Sequence, residues 1–149
     1  TFLEDQGIEI MQGYKAENLS PKPDFVVVGN VISKHYEEAA ALLKTDIPYA
    51  SLPETLRDVV IEDRHSMVVA GTHGKTTTTS MLAWICEKEG LRPGFLIGGI
   101  PNNFKKSFQN PGGNHWVIEG DEYDTAFFAK VPKCIYYKPK SIILNSIEF

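Results

Sequence analysis

One stretch, Val68-Val69-Ala70-Gly71-Thr72-His73-Gly74-Lys75-Thr76, constrains this chain more than any other. An apolar run leads into Gly-x-x-Gly-Lys-Thr, and a segment from about Thr76 to Glu89 reads as a helix stopped by Gly90. Glycines between a strand and a helix let the backbone turn sharply and bring its N–H groups close to phosphate oxygens. The helix that follows offers unpaired N–H donors and the positive end of its dipole. Lys75 supplies a point charge for the outer phosphates, and the Thr76 hydroxyl is a ligand for magnesium. The full phosphate-loop pattern has glycine where this chain has Val69, so the match is a shortened variant. A glycine-rich turn without a ligand is the plain alternative. Thr77, Thr78 and Thr79 continue the motif. β-Branched residues are poor helix formers, so their hydroxyls either face phosphate or pack the first turn.

The rest of the chain alternates in the same way. Phe25–Val28 is an apolar run before Gly29-Asn30 and reads as a buried parallel strand. Glu37–Leu43 and Pro53–Ile61 read as helices, the second with proline at its start. Ile8–Met11, Met67–Ala70, Phe95–Ile97, Trp116–Ile118, Cys134–Tyr137 and Ile142–Leu144 read as strands. Strands separated by helical stretches predict an α/β fold with a mostly parallel sheet. The polar run Glu62–Ser66 marks a boundary, giving two units, 1–64 and 65–149. Residues 1–7 read as the last turns of a helix closed by Gly7, and the chain stops directly after a strand-like run. Both ends interrupt a pattern, and the expectation is a piece of a longer enzyme.

Two further segments carry chemistry. His115-Trp116-Val117-Ile118-Glu119-Gly120-Asp121-Glu122-Tyr123-Asp124 ends an apolar strand in a cluster of acids. Ligand groups gather at the carboxyl ends of strands in open parallel sheets, and Glu119 is the first acid on that rim. Clustered carboxylates repel one another unless a cation neutralises them, which favours a metal over a solvated acidic loop. Ser141–Phe149 is a strand that delivers Asn145 to the same rim; a strand-ending turn is the alternative.

Composition excludes several classes. The 149 residues hold 15 Lys and Arg against 19 Asp and Glu, for a formal charge of −4. There is no basic block for nonspecific nucleic-acid binding and no apolar run long enough to span a bilayer. Cys86 and Cys134 lie far apart and outside any CxxC pair. That argues against a disulfide framework or a cysteine zinc site and makes a reducing cytoplasm the default.

In order and spacing, Gly71-Thr-His-Gly-Lys-Thr-Thr-Thr78, Glu119-Gly-Asp-Glu-Tyr-Asp124 and Leu144-Asn-Ser-Ile-Glu-Phe149 resemble the Mur ligases, ATP-dependent amide-forming enzymes of bacterial cell-wall synthesis. Gly98-Gly-Ile-Pro-Asn-Asn-Phe104, Glu122-Tyr-Asp-Thr-Ala-Phe-Phe128 and Asn145-Ser-Ile-Glu-Phe149 are most similar to the branch that serves peptidoglycan recycling. The resemblance implies a ligase joining the murein tripeptide L-Ala-γ-D-Glu-meso-diaminopimelate to UDP-N-acetylmuramate through an acyl phosphate. The alternatives are L-alanine as the incoming amine, or a different phosphate-loop ATPase or kinase. It implies a Rossmann-like UDP-sugar domain, incomplete, over 1–64 and the first part of an ATPase domain over 65–149. ATP and Mg2+ are the implied cofactors. Lys75 and Glu119 are the implied catalytic groups, and Thr76 and Glu119 the magnesium ligands. Gly71, Thr72, His73, Gly74, Lys75, Thr76, Thr77 and Asn145 are the implied nucleotide contacts. The family's adenine-binding residues and amine-binding domain would lie beyond Phe149, so the segment alone is expected to be inactive.

The other conspicuous residues take plainer readings. His35 and His65 sit among charged residues and are expected at the surface. Met81, Trp84 and Cys86 on the helix after the loop are expected in the core. Asn30 and Ser33 follow a buried strand and either line the sugar site or make a turn.

Overall fold

The computed structural model describes residues 2–121, 126–128 and 132–146. Seven strands form two sheets among the described residues. The smaller sheet pairs β1 (Val26–Val28) with β2 (Tyr49–Ser51) in parallel, with α2 (Glu37–Leu42) in the connection. A single-turn helix, α1 (Phe2–Asp5), precedes them, closed past Gly7 by Ile8 N–H donating to the Leu3 carbonyl. The larger sheet has the order β5-β4-β6-β3-β7. Its members are β3 (His65–Ala70), β4 (Gly94–Leu96), β5 (Phe108–Gln109), β6 (His115–Gly120) and β7 (Ser141–Leu144). All pairs are parallel except β4 with β5 at the edge. The fold is therefore α/β with a mostly parallel sheet, as the alternation predicts.

Apolar periodicity explains how the sheet is covered. Side chains alternate across a strand, so β3 and β6 each feed two layers. Val68 and Ile118 face one side with Ile61, Trp116 and Tyr137, while Val117 faces the other with Ala83, Phe95 and Ile97. The second layer is roofed by α4 (Lys75–Lys88), whose buried residues are Thr79, Ala83 and Cys86. Leu91 N–H closes this helix on the Cys86 carbonyl, at the predicted stop. The first layer is covered by the segment after β2. That segment starts as α3 (Leu52–Thr55) with a capping box, in which Ser51 Oγ accepts from Glu54 N–H and Glu54 accepts from Ser51 N–H. It widens into a π-helical turn over Leu56–Ile61, with Glu62 N–H reaching back to the Arg57 carbonyl at 2.7 Å. The small sheet has its own core of Val28, Leu42 and Ile47, and Phe127 packs against it.

Several expectations are corrected. Cys134–Tyr137 is not a strand: α5 (Lys133–Tyr136) starts after Pro132, and one helical turn brings Cys134 and Tyr137 to the same side, onto the first layer. Ile8–Met11 forms no strand and is exposed, because no neighbouring strand supplies ladder partners. Met81 is not core but 60% exposed, on the face of α4 away from Ala83. Trp84 is half-buried edge-on against Phe104, and Cys86 is buried as expected. His35 is exposed, but His65 is half-buried, its Nε2 2.8 Å from Ser141 Oγ on the neighbouring strand. Two strands, Tyr49–Ser51 and Phe108–Gln109, are too short and too polar to announce themselves in the sequence. Among the described residues, no helix is long and apolar enough to cross a membrane.

Candidate phosphate and metal site

The register of the large sheet assembles the site. β3, β6 and β7 run parallel with Val69 opposite Glu119 and Ala70 opposite both Gly120 and Leu144. Three segments distant in sequence therefore end at one rim: Gly71–Thr76, Glu119 and Asn145. This is the carboxyl edge, where an open parallel sheet leaves a crevice.

The loop is shaped by two glycines. Gly71 has φ +128°, and a Cβ there would lie 1.6 Å from the Asn145 carbonyl oxygen. Gly74 has φ +77°, caps α4, and would bring a Cβ to 2.6 Å from Asn145 Nδ2. At Gly71 the clash is with backbone, so only glycine fits; at Gly74 the left-handed φ favours glycine. Asn145 braces the loop from β7. Its backbone N–H donates to Ala70, and its side-chain amide donates to the His73 carbonyl at 3.0 Å and to Thr78 Oγ1 at 3.4 Å. Thr72 N–H closes the contact on the Ser146 carbonyl. Asn145 is thus placed at the loop, with its amide spent on the backbone that shapes the cradle.

Lys75 opens α4 and folds back, donating from Nζ to the Gly71 carbonyl at 2.6 Å. Thr76 Oγ1 donates to Glu119 Oε2 at 3.1 Å, while Gly98 N–H donates to Oε1 at 2.8 Å. A hydroxyl and a carboxylate in contact beside a glycine cradle are the hard oxygen donors that magnesium takes. Among the described residues both donors to Glu119 are neutral, so they leave its charge for a cation. The residues present therefore fit the expected phosphate and metal groups. The threonine run divides its labour. Thr79 is fully buried and donates to the Lys75 carbonyl, Thr78 meets Asn145, and Thr77 is exposed in an open groove beside Thr76 and Ile100. His73 is exposed at the tip, its carbonyl turned to Asn145.

A cavity of about 250 Å³ adjoins Glu119 where the two sheets meet, with Asn30 and Leu52 on one side and Gly98, Asp121 and Lys133 on the other. Asn30 lines this cavity, and Ser33 does not. Tyr137 closes the floor; burial, then the nearby Asp121 and Cys134, pushes its phenol above the ordinary value. The sequence reading missed Gly98 as a donor and Lys133 altogether. Gly98 follows a strand end by a residue and was legible as a rim position; Lys133 had no such signal. Glu122, Tyr123, Asp124, Ile147, Glu148 and Phe149 of the two motifs lie outside the described residues.

Family models cover the chain on both sides of the predicted boundary: the Mur ligase family, catalytic domain, matches residues 1–64, and the Mur ligase middle domain matches 69–138. The chain belongs to the Mur ligase family. This Mur ligase chain is 50% identical over all 149 residues to the UDP-N-acetylmuramate--L-alanyl-gamma-D-glutamyl-meso-2,6-diaminoheptandioate ligase of Escherichia coli, of which it spans 33%. It is 37% identical over 146 residues to a UDP-N-acetylmuramate--L-alanine ligase of Chlorobium phaeobacteroides, covering 98% of this chain and 30% of that protein. The crystal structure of a UDP-N-acetylmuramate:L-alanyl-gamma-D-glutamyl-meso-diaminopimelate ligase from Neisseria meningitides superposes with a TM-score of 0.93 at 45% identity. It covers 99% of this chain and 49% of that one. The chain thus spans about a third of the length of the curated relatives it matches.

Proposed function

We propose that this chain carries the phosphate-handling part of an ATP-dependent ligase that joins the tripeptide L-Ala-γ-D-Glu-meso-diaminopimelate to UDP-N-acetylmuramate. The observation that carries the reading is the Thr76–Glu119 contact beside the Gly71–Lys75 cradle. The 50% identity over the whole chain to a ligase named for that tripeptide supports the choice of amine. Residues 1–64 serve the UDP-sugar, and 65–149 serve ATP.

A carboxylate is a poor acceptor for an amine. Its oxygen takes the γ-phosphoryl group of ATP, releasing ADP and giving an acyl phosphate. The amine then adds to the acyl carbon, loses a proton and expels phosphate. The part of this chain is to position and to stabilise charge. The loop N–H groups from Gly71 to Thr76 and the start of α4 hold the phosphates. Lys75, released from the Gly71 carbonyl, follows the charge on the transferring group. Thr76 and Glu119 would hold magnesium, which supplies charge neutralisation at the phosphoryl oxygens. Asn145 keeps the loop in shape from behind, and the exposed His73 ring at the loop tip is a phosphate contact.

The test follows phosphate release by a full-length ligase carrying this sequence, with ATP, magnesium and UDP-N-acetylmuramate. Release that depends on the tripeptide is expected. Release with L-alanine alone would assign the other amine, and no amine-dependent release would remove the ligase reading. Lys75→Ala is expected to abolish release while leaving the thermal midpoint within a few degrees of the parent.

A further inference from the structure

Glu119 and Asp121 stand two residues apart at the end of β6, and both line the cavity between the sheets. Both border one cavity, where two bare carboxylates would repel an anionic substrate. They are not treated alike. Among the described residues, the donors to Glu119 are the neutral Thr76 and Gly98. Asp121 receives Lys133 Nζ at 3.0 Å on Oδ2, and its carbonyl accepts Lys133 N–H at 3.2 Å. The ion pair is half-buried, with the lysine side chain 17% and the aspartate side chain 32% exposed. A pair so placed feels little screening by salt. α5 therefore sits where it does with its first residue clamped to the strand end through both backbone and side chain.

We infer that Lys133 is a positioning residue for the sugar-nucleotide carboxylate: it cancels Asp121, so that of the acids among the described residues lining the cavity, Glu119 is left for the cation and Asp121 no longer opposes the incoming carboxylate. The inference rests on the ligase reading above. It is specific about mechanism, because Lys133 acts through Asp121 rather than by touching substrate.

Steady-state kinetics of the full-length enzyme tests it. Lys133→Met is expected to raise KM for UDP-N-acetylmuramate on the order of tenfold, as one uncompensated charge at this range implies, with KM for ATP and the thermal midpoint little changed. Lys133→Arg keeps the charge and is expected to stay near the parent. Adding Asp121→Asn to Lys133→Met should recover most of the loss, and Asp121→Asn alone should hold or lower that KM. An unchanged KM in Lys133→Met, a double variant no better than the single one, or a KM raised by Asp121→Asn alone would each overturn the inference. If the parent itself releases no phosphate on adding UDP-N-acetylmuramate and tripeptide, the ligase reading fails and takes this inference with it. A working parent with an insensitive Lys133→Met removes the inference alone.

Discussion

The two parallel units begin alike and end differently. In each, an apolar strand runs into a glycine and the chain goes on to a helix: Val26–Val28 into Gly29-Asn30, and His65–Ala70 into Gly71. At Gly29 a Cβ would meet nothing nearer than Ile32 at 3.9 Å, whereas at Gly71 it would strike the backbone of Asn145. Among the described residues β1 has one neighbour, and Val27 and the preceding Phe25 are nearly half exposed, while β3 lies between β6 and β7 with Val68 and Val69 fully buried. A strand, a glycine and a helix thus make only a turn. The cradle arises where flanking strands deliver Glu119 on one side and Asn145 on the other.

The largest expected effect separates the two glycines. Gly71→Ala should destabilise by about 3 kcal/mol or more, because a left-handed backbone and a steric clash add. Gly29→Ala should shift stability by no more than about 0.5 kcal/mol, a difference that urea unfolding reads directly. Equal effects would break the comparison. Next come the two valines: Val68→Ala should cost about 2–3 kcal/mol in the packed layer, and Val27→Ala well under about 1 kcal/mol. Asn145→Ala should cost about 1 kcal/mol of stability, since it removes the amide bonds to the His73 carbonyl and to Thr78 Oγ1. It should weaken ATP binding severalfold in calorimetry, whereas a purely packing role would leave binding unchanged. Ser51→Ala removes the capping box of the first unit and should cost about 1 kcal/mol in thermal melts without touching nucleotide affinity.

The smallest effect is electrostatic. Lys22 donates to Asp46 at 2.6 Å and, with a backbone hydrogen bond, holds that carboxyl below its ordinary value. Because the folded value is depressed, whatever stability the pair adds is present at neutral pH. It is lost as acid is added and the pH falls through the folded value. Both side chains are largely exposed, so the stability change should be slight. Carboxyl chemical shifts against pH should still move Asp46 upward in Lys22→Met.

How much of this was legible depends on whether a feature is local. Gly71, Gly74, Lys75 and the helix behind them were legible because turn geometry, charge and helix start are written in consecutive residues. Glu119 was legible as the first acid past an apolar run. The same local logic failed at Cys134–Tyr137. Four residues with two apolar and two aromatic-rich positions fit either period, and only the sheet layer beneath decided for one helical turn. It failed at Met81 because a short window along α4 does not say which stripe faces the sheet; Ala83, Phe95 and Val117 decide that by packing.

What the sequence determined by itself, then, is the alternation of strands and helices, the glycine loop with its lysine, and the two rim residues that later meet it. These depend on backbone sterics, periodicity and local charge, all of which act within a few residues. What only the tertiary structure decided is which of those pieces touch. Asn145 lies some seventy positions along the chain from the loop it braces, Gly98 donates to Glu119 from another strand end, and Lys133 answers Asp121 from the start of α5.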